Sequence, residues 1–122
     1  EPDDAALRRI LNEMESAIES GDVGAFMQSL DPEFTAQSGA MDVRQLRATL
    51  LALRLRHENL SVNPSLAAVQ LFDDRATIRL KVLATGGGWL PEAGQLFEIE
   101  SHWRRIDGDW LCFTANWENA LH

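Results

Sequence analysis

Cysteine is nearly absent from this 122-residue chain. With Cys112 alone, no disulfide can close within it and no Cys-based zinc site can be assembled. Cys112 falls in a strand-like run, where a small buried side chain is its expected role. Long apolar runs are missing as well, so no segment reads as a bilayer-spanning helix. Positive charge is scarce: 11 Lys and Arg against 19 Asp and Glu leave a net charge of −8. Such a surface repels phosphate backbones, which disfavours nucleic-acid binding unless basic residues gather in one patch. Repeats, low-complexity tracts and linkers are lacking. Gly86-Gly87-Gly88 has none of the Lys, Ser or Thr context of a phosphate loop and reads as a flexible turn or flap. No cofactor signature is present. The chain starts Glu-Pro-Asp-Asp rather than with Met, a start that fits either a trimmed cytoplasmic form or an exported one, periplasmic or lipid-anchored, after signal removal.

What is present is ample core material. Hydrophobic residues make up 45% of the chain, enough for one domain over residues 1–122. Asp3 or Asp4 is placed to cap a helix from about Ala5, whose apolar face is Leu7, Ile10, Leu11, Met14 and Ile18. Gly21 ends it and Asp22 caps a short second helix, with Asp31-Pro32 as the stop. Residues 33–38 read as a short strand or extended loop, broken by Gly39. Asp42 and Gln45 form a capping-box pair ahead of a third helix from Val43 to about His57. Leu46, Leu50, Leu53 and His57 share its face, and Leu51 and Leu55 widen the band toward a second neighbour. The period then becomes strand-like: 66–72, a turn at Asp73-Asp74, and 76–83 with alternating burial. Helices followed by an antiparallel meander predict an α+β domain, its helices packed on one face of a curved sheet.

The stretch from Leu96 to Trp117 holds the residues with chemistry. Asp107-Gly108 between two apolar-rich runs predicts a tight hairpin. Glu98, Glu100, His102 and Arg104 have one strand parity, and Phe97, Ile99, Ser101 and Trp103 the other. If the charged set faces solvent or a partner, it is an ordinary wet face; if it faces inward, it lines a polar pocket with perturbed titration. A β-bulge would change that parity partway along. Three same-face positions on one strand are too far apart to close on one ion, so no metal site is expected. His57, at the end of an apolar helical stripe, is either a core or rim residue or a base pointing between helix and sheet. Asp31 is a candidate rim acid, though its place beside Pro32 reads first as a turn residue. The tryptophans Trp103, Trp110 and Trp117 fill core or interface, and an aromatic wall also suits a flat apolar ligand.

Three segments together resemble the nuclear-transport-factor-two-like superfamily, which includes ketosteroid isomerase, scytalone dehydratase and SnoaL-like cyclases. They are ALRRILNEMESAIESGDVGAFMQSLDPEF, the helix ending LRLRH, and SHWRRIDGDWLCFTANW, and the resemblance covers nearly the whole chain. It implies three helices on a strongly curved, mostly antiparallel sheet, forming a cone with an internal pocket, and a homodimer through the exposed sheet face. It also implies a ligand wall of Phe34, Leu53, His57, Trp103 and Trp117, suited to a small apolar or aromatic molecule. The chain has no Tyr, so the tyrosine-based oxyanion hole of ketosteroid isomerase cannot be reproduced, and TAQSGA after Phe34 carries no carboxylate. The expectation is a small-molecule-binding or accessory domain without a cofactor. The alternatives are a lyase or isomerase using His57 or His102 with Glu98, Glu100 or Asp31, and a structural or interaction domain with a filled cone.

Overall fold

The structure is a computed structural model and describes residues 2–56, 61–85 and 95–119. Its elements run α1 (Asp3–Ser20), α2 (Val23–Met27), β1 (Leu30–Ala36), β2 (Met41–Asp42), α3 (Val43–Arg56), β3 (Ser61–Phe72), β4 (Arg75–Thr85), β5 (Gln95–Ile106) and β6 (Asp109–Asn119). One sheet has the order β2-β1-β6-β5-β4-β3. Every pairing is antiparallel except β1 with β6, which is parallel. The sheet is curled and unclosed, with helices on one face: the α+β cone architecture that the sequence predicts.

Local chemistry accounts for most boundaries. Gly21, in the left-handed conformation at φ 76°, ends α1, and the Asp22 carboxylate accepts from the Ala25 N–H at the start of α2. The α1 start differs from expectation. Pro2 is the N-cap and makes no side-chain cap. Asp3 and Asp4 lie inside the first turn, where they complement the helix dipole. Asp3 reaches the hairpin instead, accepting from Arg105 Nη1 at 2.8 Å and Trp110 Nε1 at 3.3 Å, while Asp4 pairs with Arg8. At α3 the capping box closes reciprocally: the Gln45 N–H donates to Asp42 and the Asp42 N–H donates to Gln45, both at 2.8 Å.

Asp31-Pro32, expected as a helix stop, lies within β1. Proline is tolerated there because β2 pairs only with Thr35 and Ala36, and the pairing with β6 is interrupted between Leu30 and Thr35. Leu51 is exposed rather than widening the buried band of α3. His57, Leu55's side chain and Gly86-Gly87-Gly88 lie outside what the structure describes.

The core gathers Leu7 and Ile10 of α1, Leu46 of α3, Leu30, Phe34 and Ala36 of β1, Ile78 of β4, Trp103 of β5, and Trp110 and Cys112 of β6. Ser101 is the polar exception on this side. Its hydroxyl donates to the Ile78 carbonyl at 3.1 Å and accepts from Trp103 Nε1 at 2.9 Å, so both buried groups are satisfied.

Candidate functional site

Strand parity sorts the candidates onto two faces. Ser101 and Trp103 are buried beneath the helices, so Glu98, Glu100, His102 and Arg104, of opposite parity, lie on the outer face of β5. A bulge is present, but on β6: His102 pairs with Thr114 and Trp103 with Cys112, leaving Phe113 as the extra residue. The parity of β5 is therefore regular throughout. The bulge lets Phe113 join the outer face while Trp110 and Cys112 below it, and Ala115 above it, remain buried.

Glu100, His102 and Arg104 each have a local partner. Arg79 on β4 donates through Nε and Nη2 to Glu100 Oε1 at 3.2 and 3.1 Å, directly across the strand pair. His102 Nδ1 lies 3.2 Å from Thr77 Oγ1. The Arg75 and Arg104 guanidiniums each stand 5.3 Å from the Phe113 ring centroid. Arg104 also reaches over β6 to Asp31, donating through both Nε and Nη2 to Oδ2 at 3.0 and 2.6 Å. Asp31 is buried and accepts the Glu33 N–H at 2.8 Å through its other oxygen. The Glu33 backbone donor, and after it Arg104, hold the Asp31 carboxyl below the usual carboxylate range against the opposing effect of burial. Asp31 is thus a latch between β1 and β5, with both carboxylate oxygens engaged, rather than a free rim acid.

A trough of about 450 Å³ lies across three strands at Arg79–Lys81, Glu98–Glu100 and Asn116–Glu118. The outer-face side chains of these triplets are Arg79, Lys81, Glu98, Glu100, Asn116 and Glu118. Leu80, Ile99 and Trp117, in register with one another, have the inward parity. Two rows of polar side chains therefore form the banks and strand backbone forms the floor. A second hollow, about 640 Å³, lies where the first half of α1 meets the β5–β6 turn, lined in part by Arg9, Glu13, Ser29, Arg105 and Trp110. Neither brings an imidazole and a carboxylate together. Among the described residues no three His, Cys, Asp or Glu side chains converge as metal ligands.

The expected ligand wall divides. Phe34 and Trp103 are 2% and 1% exposed, which leaves almost no surface for a ligand. Leu53 is half-buried on the face of α3 that carries Leu46 and Leu50. Trp117 is half-buried and packs on the core from the inner side of β6. His57 is not among the described residues. Sequence reading missed Gln37, whose side chain brackets Trp117: its amide donates to the Trp117 carbonyl and accepts from the Trp117 N–H, both at 3.0 Å. Gln37 is in the left-handed region at φ 54°; Gly39 marks the turn in the sequence, but nothing there marks Gln37 as the residue that reaches Trp117.

A helix layer on one face of a curled six-stranded sheet, with a parallel β1–β6 pairing, defines a class of cone-shaped α+β domains. Within that class the chain has the NTF2-like fold. It aligns with an NTF2-like protein from Cytophaga hutchinsonii at TM-score 0.78 and 15% identity, over 98% of this chain and 99% of that one. A protein from Streptomyces avermitilis, placed in the NTF2-like family with a provisional dehydratase assignment, matches at TM-score 0.80 and 14% identity over 98% and 97%. Bd1075 of Bdellovibrio bacteriovorus matches at TM-score 0.80 and 12% identity over 93% of this chain, which spans only 39% of that larger protein. No protein-family model matches the sequence, and no curated protein matches it. At these identities the likeness is one of fold.

Proposed function

We propose that this domain binds a small apolar molecule on the helix side of its sheet and acts as a binding or accessory domain rather than a catalyst. The supporting observation is a half-buried apolar row on the inner face, lying between sealed residues at the turn end and Ala84, which is buried again at the far end of β4. Near the β5–β6 turn that face is sealed, with Ile78 at 0% and Trp103 at 1% exposure. Further along the same strands the row Leu80, Ile99 and Trp117 is only half-buried, as is Leu53 on the facing helix stripe. Partly covered apolar side chains on a concave surface are the composition of a ligand wall. The titratable candidates Glu98, Glu100, His102 and Asp31 lie away from it, the last three with partners of their own. Of the two bases named for the proton-transfer reading, His102 lies on the outer face and His57 is not among the described residues.

The outer face, in this reading, receives a second copy of the chain. β4 presents Arg75, Arg79 and Lys81 there, and β6 presents Asn116 and Glu118. A two-fold axis along β5 sets the basic strand of each copy against the acidic end of the other, the complementarity that specifies pairing.

The binding claim is tested by titrating N-phenyl-1-naphthylamine, an uncharged apolar fluorophore, into the protein. Saturable enhancement is expected, weakened about tenfold or more by Leu53→Glu, which costs at least about 1.4 kcal/mol of binding. The outer-face pair Glu100→Gln with His102→Ala should leave it unchanged. No saturable binding, or loss only in the outer-face variant, would count against the proposal.

A further inference from the structure

The sheet has an open edge at β3, and its sequence is unusual for an edge: SVNPSLAAVQLF contains no charged residue. Long uncharged edges invite pairing with another strand, and proteins usually blunt them with charge, proline or a bulge. Here the first half is blunted. The Val62 N–H, which points away from β4, donates to Glu19 of α1, Pro64 has no N–H, and the register slips between Leu66 and Ala68. Beyond the slip, Ala68–Phe72 carries none of these devices.

The hydrogen-bonding parity of this segment follows from its hairpin. A two-residue turn joins Phe72 to Arg75, so Phe72, Gln70 and Ala68 direct their backbone groups to β4. Val69 and Leu71 direct theirs outward, and among the described residues no strand lies beyond them. Leu71 is 43% exposed and Phe72 60%.

We propose that Ala68–Phe72 pairs antiparallel with the same segment of a second copy, about a two-fold axis at Gln70. In that register Val69 exchanges both backbone hydrogen bonds with Leu71 of the partner subunit, and Leu71 does so with the partner's Val69. Gln70 faces the partner's Gln70, and Phe72 covers the partner's Ala68, a large side chain on a small one. Each cross-strand pair is apolar or amide-to-amide. For a molecule of net charge −8, the strand itself adds no charge to the contact, and the acidic turn Asp73-Asp74 lies at its ends rather than at the axis. The contact is one short strand pair, so the dimer is weak and forms at high protein concentration. It is independent of the helix-side pocket and of the outer-face contact.

Sedimentation equilibrium over a wide concentration range tests this on the whole chain, using Gln70→Lys and Gln70→Glu, both at an exposed side chain, with Arg79→Glu as the outer-face control. The dissociation constant should rise about tenfold or more in each Gln70 variant alone. An equimolar mixture of the two should recover it, because opposite charges then meet at the axis. A wild type that remains monomeric overturns the proposal, as does association weakened by Arg79→Glu but not by either Gln70 variant. Weakening by both kinds of substitution, with recovery in the Gln70 mixture, supports the edge, because Arg79 stands opposite Ala68 on β4. Failure of the mixture to recover association overturns the two-fold at Gln70.

Discussion

Asp31 shows how a single residue can look chemical and be structural. Its carboxylate has one oxygen on a backbone N–H and the other on the Arg104 fork, so it ties β1 to β5 over the top of β6. Arg104 remains 29% exposed, so breaking the pair costs less than severing a fully dry one. Asp31→Asn should lower unfolding stability by about 1.5–3 kcal/mol at pH 7, read by urea denaturation. The direction with pH follows from the depressed acidity. Asp31 contributes in full above its unfolded pKa of about 3.9, and the contribution is lost as pH falls through the lower folded value. The gap between wild type and variant should therefore be constant from neutral pH to about pH 5 and close below about pH 4. A gap that persists unchanged at low pH would assign the loss to packing. Cys112 lies at the other extreme: burial pushes its thiol up to about 12, and it is a core side chain without nucleophilic character at neutral pH.

At the scale of elements, what depends on a few neighbouring residues was legible and what depends on distant ones was not. The Asp107-Gly108 turn is an example of the first: both residues have positive φ, 53° and 85°, as a two-residue hairpin of this type requires. The Asp42–Gln45 capping box is another, and Asp42→Ala should destabilise the protein by about 0.5–2 kcal/mol, measured by thermal unfolding with circular dichroism. Asp42→Asn should recover most of that, since its amide oxygen can still accept the Gln45 N–H. The β1–β6 pairing is an example of the second. It joins residues some eighty positions apart in parallel register, and no local pattern in LDPEFTA carries that information. The Phe113 bulge was equally hidden, because an inserted residue in WLCFTANW does not interrupt its apolar composition. Its effect is large nonetheless. It turns the upper part of β6 so that Ala115 and Trp117 face the helices, while β5 keeps one parity along its length.

For the whole molecule, the proposed function rests on the division between two faces. The parity of Glu98, Glu100, His102 and Arg104 was readable from sequence, but the side of the sheet they occupy is set by where Trp103 and Ser101 are buried, a tertiary fact. The outcome is an inner face of apolar side chains, half-buried around Leu53 and Trp117, and an outer face that carries the Arg79–Glu100 pair; ligand binding at the first and assembly through the second are what we propose. Nuclear magnetic resonance of the tryptophan indole N–H groups during titration with N-phenyl-1-naphthylamine tests this division most directly. Trp117 should shift progressively and saturate, Trp103 and Trp110 should remain in place because both are sealed in the core, and the backbone amides of Glu100 and His102 should move little. Shifts concentrated at Glu98, Glu100, His102 and Thr77 with an unmoved Trp117 would contradict the account and place the binding surface on the opposite face.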